Sequence, residues 1–352
     1  MMPSCRSFLT ACAALTVLAV LTVSNLPAQE ADSPEAPDSQ VVLEGLDNPS
    51  GLAIQPSTGH LFVAEHRGVY RYAPGSKQPA TLEIGSYPTD IYGKGPMYDI
   101  GPLGLGFMEN GNLVVGDGSR KDSQELIRVY KMGDEPADEP QPESSALHTL
   151  GPIPAGDVSV MGEGNFFSVA IGAGMILSSS NGDDTKGWIV AAPIGENGEP
   201  GKLDGYIATK VATGVDAPVP IIFSQDGADL IVGQMGEVNI PGDSLLTIYD
   251  PKSKELKLEA EIGLHDVCGL AVSPKTGKLY CTDFGWVKPE DGGLFRLDIE
   301  GETVKAAKIM SLDKPTVITF DKEGGLYVAV FGTAEEGSNK LPGKILRIEP
   351  GL

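Results

Sequence analysis

Internal repetition constrains this chain more than any other feature of its sequence. GLAIQPSTGHLFVA at 51–64 returns as GLAVSPKTGKLYCT at 269–282 and as VITFDKEGGLYVA at 317–329. Looser copies are GLGFMENGNLVVG at 104–116, PIIFSQDGADLIVG at 220–233 and SVAIGAGMILSSS at 168–180. The copies start at 51, 104, 168, 220, 269 and 317, so the steps are 53, 64, 52, 49 and 48 residues. In each copy an apolar run leads into a turn rich in Gly, Asp, Asn or Pro, and a second apolar run follows. That pattern specifies a tight β-hairpin.

A third strand follows every hairpin: 68–73 (GVYRYA), 125–132, 187–194, 244–249, 293–299 and 343–348. A more polar fourth strand closes most units, as in 80–84 (ATLEI) and 256–262 (LKLEAEI). Four strands repeated six times predict an all-β chain, a six-bladed β-propeller of antiparallel four-stranded blades. The 45 glycines and 27 prolines suit its many turns. The last unit has only three strands, so the segment 40–46 (QVVLEGL) is expected to complete it and close the ring. The propeller domain is therefore expected to span 40–352.

The first 28 residues are expected to be a cleaved signal peptide. Arg6 precedes a 16-residue apolar run, 8–23, shorter than the ~20 residues of a membrane span. Leu26-Pro27-Ala28 offers a small residue before the bond, with the mature chain starting near Gln29. Cys12 lies inside the apolar run rather than at its end, which excludes lipid attachment there. Residues 29–39 are acidic and Pro-rich and read as a flexible linker. A secreted or periplasmic protein is expected, with no membrane span after signal removal. Two cysteines remain, Cys268 and Cys281, on paired strands of one hairpin, either bridged or as two buried thiols. The formal net charge of −22 argues against nucleic acid and anionic lipid as partners. A monomer binding a small molecule, glycan or protein is expected.

Repeats of this kind resemble the six-bladed propeller superfamily of NHL-repeat, SMP-30/gluconolactonase-like and strictosidine-synthase-like proteins. The resemblance covers about 40–352 and implies the fold. For a lactonase it further implies one divalent cation, held in the central channel by carboxylates and Asn side chains at the blade entries. This chain departs from that pattern. The entry Asn48-Pro49-Ser50-Gly51 has no carboxylate, another entry is Cys268-Gly269, and a third carries Thr316.

Connectivity sorts the remaining polar residues by face. Inter-blade segments and the loops between second and third strands share one face, which is expected to bind the ligand. Its candidate ligand-binding residues are His66, Tyr98, Asp99, Asp117, Asp183, His265, Asp283 and Trp286. The long segments 85–103 and 153–165 shape its rim. The opposite face carries short turns and one acidic insert, 133–145 (GDEPADEPQPESS), read as a mobile loop. Gly242-Asp243-Ser244-Leu245 spells an esterase signature, but no Asp-x-x-His accompanies it, and a serine without a base is inert. No catalytic set and no metal set emerges, and no cofactor is expected, although calcium would suit the acidic rim. The leading expectation is an exported binding module. The alternative is a diverged, metal-dependent, lactonase-like hydrolase.

Overall fold

The computed structural model describes residues 36–182 and 185–352. Six sheets of at least four strands are formed from them. Blade 1 comprises Gly51–Ile54, Leu61–Glu65, Gly68–Tyr72 and Thr81–Gly85. Blade 2 comprises Pro102–Phe107, Leu113–Asp117, Ile127–Tyr130 and His148–Leu150. Blade 3 runs Val169–Gly172, Met175–Ser179, Trp188–Pro193 and Asp204–Ala208. Blade 4 runs Pro218–Phe223, Leu230–Gln234, Leu245–Tyr249 and Leu256–Glu261. Blade 5 runs Val267–Val272, Leu279–Asp283, Gly293–Glu300 and Thr303–Ser311. Blade 6 has Pro315–Phe320, Leu326–Val330 and Gly343–Ile348, and its fourth strand is Ser39–Leu46, antiparallel to Gly343–Ile348. The expected leader, 1–28, lies outside the described residues.

The core lies between blades. Phe62, Ala64 and Val69 of blade 1 pack against Leu105, Leu113 and Val115 of blade 2. Equivalent clusters join the other blades. The inner strands approach closely around the axis, which explains the glycine that opens the clearest repeats. A Cβ on Gly51 would sit 1.9 Å from the Leu103 carbonyl oxygen, and one on Gly269 would sit 2.5 Å from that of Thr316. Four inner strands also begin with a bulge, between Pro102 and Leu105, Pro218 and Ile221, Val267 and Gly269, and Pro315 and Ile318. A bulge re-aims side chains, and here Leu103, Val219, Cys268 and Thr316 line a small chamber of about 60 Å³.

One open alternative is resolved and one expectation is corrected. Cys268 and Cys281 are both free thiols. The bulge sets Leu270, not Cys268, opposite Cys281, so the pair is diagonal. The insert 133–145 is not a loose loop. Gln141–Pro142 pairs in parallel with Ile84–Gly85 as a fifth strand of blade 1. The buried Arg71 donates to the carbonyls of Gly133 and Asp134, and Glu83 accepts from the Ala137 N–H.

Candidate active site

The long-loop face is built by the inter-blade segments. Segment 85–103 folds into a two-stranded hairpin, Asp90–Tyr92 with Tyr98–Ile100, which leans over the ring. Its tyrosines complete an aromatic plug. Tyr98 meets Phe284, Trp286 and Phe331 edge-on at ring distances of 5.9, 5.3 and 5.3 Å. Tyr92 packs on Phe167 and Trp286. The Tyr98 hydroxyl and the Trp286 indole N–H are buried in this plug with no hydrogen-bond partner among the described residues.

The axial cation that the lactonase resemblance implies does not fit beneath that plug. The groups at the blade entries are Ser50, Cys268 and Thr316, with Phe167 and Val219 beside them. The two hydroxyls are spent on backbone: Ser50 donates to the Pro102 carbonyl at 3.3 Å and Thr316 to that of Pro49 at 2.7 Å. Burial holds the Cys268 thiol protonated. Among the described residues no group of three or more His, Cys, Asp or Glu side chains could hold a metal ion. A hard cation wants several oxygen ligands, and this donor set supplies none that is charged.

Polar groups converge elsewhere on the same face. Between the hairpin and the entries of blades 3 and 4 lies a cleft of about 310 Å³. Asp90, Asp122, Asp216 and Glu237 line it, together with Asn165, Asn181 and Lys94. Tyr92, Met235 and Val238 form its apolar wall. The Asn165 amide donates to Asp122 Oδ1 at 3.2 Å, and the Asn181 amide donates to the Tyr92 hydroxyl at 2.9 Å. Asp216 accepts from Lys210 Nζ at 2.8 Å and from the Ala217 N–H at 2.7 Å. Lys94 pairs with Glu237 at 3.0 Å. Asn165 takes a left-handed φ of +46°, and its backbone N–H donates to Glu125 Oε2 at 2.8 Å. Glu125 is fully buried. Burial, above all, and then the charges of Asp122, Asp117 and Asp90 push its carboxyl up to about 10, against the pull of the Asn165 N–H. Glu125 is therefore a neutral acid at pH 7.

The residues singled out in the sequence distribute over three settings. Tyr98 and Trp286 belong to the plug. Asp117 and Asp283 are buried braces at the ends of second strands. Asp283 accepts from the N–H groups of His265, Asp266 and Gly285, and Asp117 accepts from Ser119, Arg120 and Arg128. His66 bridges Asp47 at 3.0 Å and Thr89 at 2.8 Å, and His265 reaches Asp291 at 3.2 Å. Asp99 is exposed, and its carbonyl accepts from Asn48. Asp183 lies outside the described residues. Ser244 of the esterase-like tetrapeptide is buried and donates to the Met235 carbonyl at 2.9 Å. Asn165, Asp216 and Glu125 escaped the sequence reading. The only signal for them was their place on inter-blade segments, for Asn165 and Asp216, or on the loop between second and third strands, for Glu125.

No protein-family model matches the chain, and no curated protein matches it significantly. Solved structures do. A glucose dehydrogenase-like oxidoreductase from Thermus thermophilus superposes with a TM-score of 0.58 at 18% identity, over 89% of this chain and 100% of that one. The soluble aldose sugar dehydrogenase of Escherichia coli gives 0.58 at 12% identity, over 89% and 99%. A gluconolactonase from Xanthomonas campestris gives 0.56 at 13% identity, over 88% and 89%. The expectation of a binding module is corrected at this point, because these three structural neighbours are named as enzymes. The chain is a six-bladed β-propeller of the architecture found in gluconolactonases and soluble sugar dehydrogenases.

Proposed function

We propose that this protein is a hydrolase that opens a small uncharged lactone or related cyclic ester in the cleft between the 90–100 hairpin and blades 3 and 4. One observation carries the reading: carboxylates, carboxamides and a lysine meet on one cavity beside an apolar wall. Convergent polar groups beside an apolar wall are what orient a small ligand in its site.

Lactone opening needs a base for water, donors for the carbonyl oxygen and a proton for the leaving oxygen. In this reading Asp122, oriented by the Asn165 amide, takes the proton from water. The water oxygen bonds to the carbonyl carbon while Lys94 and Asn181 donate to the developing oxyanion. The ring C–O bond then breaks, and the proton held by Asp122 passes to the leaving oxygen. The product is the open hydroxy acid. The alternative chemistry of the neighbours, sugar oxidation, requires an electron acceptor. Hydrolysis uses the groups that line the cleft, and the two chemistries are separated by assay.

The test is a pH-stat assay over a panel of aldonolactones and simple lactones, run beside aldoses with an artificial electron acceptor. Lactone opening is expected, and Asp122→Asn is expected to lower kcat by about 10²-fold or more while leaving the unfolding midpoint within a few degrees. Acceptor reduction by aldoses without lactone opening would overturn the hydrolase. The reading also takes residues 1–28 as an export signal, so N-terminal sequencing of the native protein should start near Gln29.

A further inference from the structure

The cleft has a polar floor and apolar lips. Ile91 of the hairpin is 55% exposed and Met161 of the facing segment is 64% exposed, and both line the cavity. They belong to a wider distribution. Ile91, Met97, Val160, Met161, Val211 and Ile240 are all exposed large hydrophobics, and all sit on connections of this one face. Singly exposed apolar residues need no explanation, but a pair of them, Ile91 and Met161, on the lips of one cavity does. Unbranched methionine adapts to irregular apolar partners.

The floor carries the opposite character. Four carboxylates line the cleft against two ammonium groups, Lys94 paired with Glu237 and Lys210 paired with Asp216, so carboxylates outnumber cations there. An anionic ligand would enter a field of its own sign at short range. The two properties together define a ligand class.

We infer that the cleft selects an uncharged amphiphile, with a hydroxyl- or carbonyl-bearing head on the Asp122–Asn165–Asn181 floor and an alkyl or acyl tail lying between Ile91 and Met161. This rests on the lactone reading only for the reaction, not for the binding. The substrate is then a tail-bearing lactone rather than a bare or phosphorylated sugar lactone.

The binding test uses calorimetry on the mature chain with methyl, butyl and hexyl glucosides below their micelle concentrations. Each added methylene that is buried should tighten binding about threefold to fourfold. An Ile91→Ser, Met161→Ser double variant should flatten that series, and Ile91→Leu, Met161→Leu should restore its slope. A carboxylate-headed amphiphile of equal tail length should bind at least tenfold more weakly than hexyl glucoside. Equal affinity across the glucosides, a slope unchanged in the serine variant, or equal binding of the anion would overturn the inference. Turnover separates this from the enzymatic reading. Lactones opened without regard to tail length would leave the hydrolase standing and sink the amphiphile. A tail-dependent affinity with no lactone opened would do the reverse.

Discussion

Glu125 shows how a single residue can report on the site. Among the described residues its Oε2 accepts one N–H, from Asn165, and its Oε1 is buried without a partner. A charged carboxylate left so poorly satisfied would cost more than a neutral acid. An unfolded glutamate titrates near ~4.3, whereas the folded one is pushed up to about 10. Folding therefore takes up a proton across that interval, and the stability is complete below the unfolded value and declines as pH rises toward 10. Asp266, buried and pushed up to about 7, adds to the decline in the lower half of the range. Urea unfolding at pH 5, 7 and 9 should show falling stability for the wild type and a shallower fall for Glu125→Gln, whose carboxamide has no proton to lose. Parallel slopes would mean that Glu125 is ionised in the folded protein. The plug offers a second residue-scale test. Tyr98→Phe keeps the ring contacts with Phe284, Trp286 and Phe331 and removes a buried hydroxyl that has no partner among the described residues. It should raise the unfolding free energy by about 1 kcal/mol. A loss of stability would show that the hydroxyl is satisfied in solution.

At the scale of elements, the informative case is the acidic insert. Its prolines and carboxylates favour a solvated loop by composition. What holds it in place comes from another blade. Arg71 is buried, pairs with Glu83 at 2.9 Å, stacks on Phe62 and still donates to the insert backbone. Glu143, near the insert's end, pairs with Arg120 and Arg128. Limited proteolysis should therefore spare 133–145 in the wild type, and Arg71→Met should make it the first site cut. Early cleavage there in the wild type would return the insert to a free loop. The hairpins were legible because period-two apolar runs and Gly or Pro turns act locally. The insert was not, since a sequence spacing of 62 residues separates Arg71 from Gly133. The site follows the same rule. Its face was legible from the connectivity alone. Its residues were legible only in part: Asp90, Tyr92, Lys94, Asp122, Asn181 and Glu237 fall on that face by connectivity, but nothing in the sequence ranks them above Asp117 and Asp283, whose rim positions look alike. Whether a rim carboxylate braces backbone N–H groups or faces a cavity depends on how the neighbouring inter-blade segment is laid.

The whole molecule is a ring, and a ring is only as closed as its last joint. In the sixth blade that joint is made by Ser39–Leu46, whose register runs from Ser39 opposite Ile348 to Leu46 opposite Gly343. Leu46 is buried with Leu52, Leu61 and Val63 of blade 1 and with Tyr327, Ala329 and Ile345 of blade 6. One strand thus welds the first blade to the last. Removing it would leave Gly343–Ile348 as an open edge, and such edges pair with other chains. A chain lacking residues 1–46 should unfold at a lower urea concentration than one lacking only 1–38, and it should self-associate on size exclusion. Adding a peptide of residues 39–46 should reverse both effects, since the peptide can supply the same register in trans. Equal midpoints for the two truncations would mean that the three remaining strands of blade 6 close the ring unaided, and the N-terminal strand would then be an addition to the blade rather than its lock.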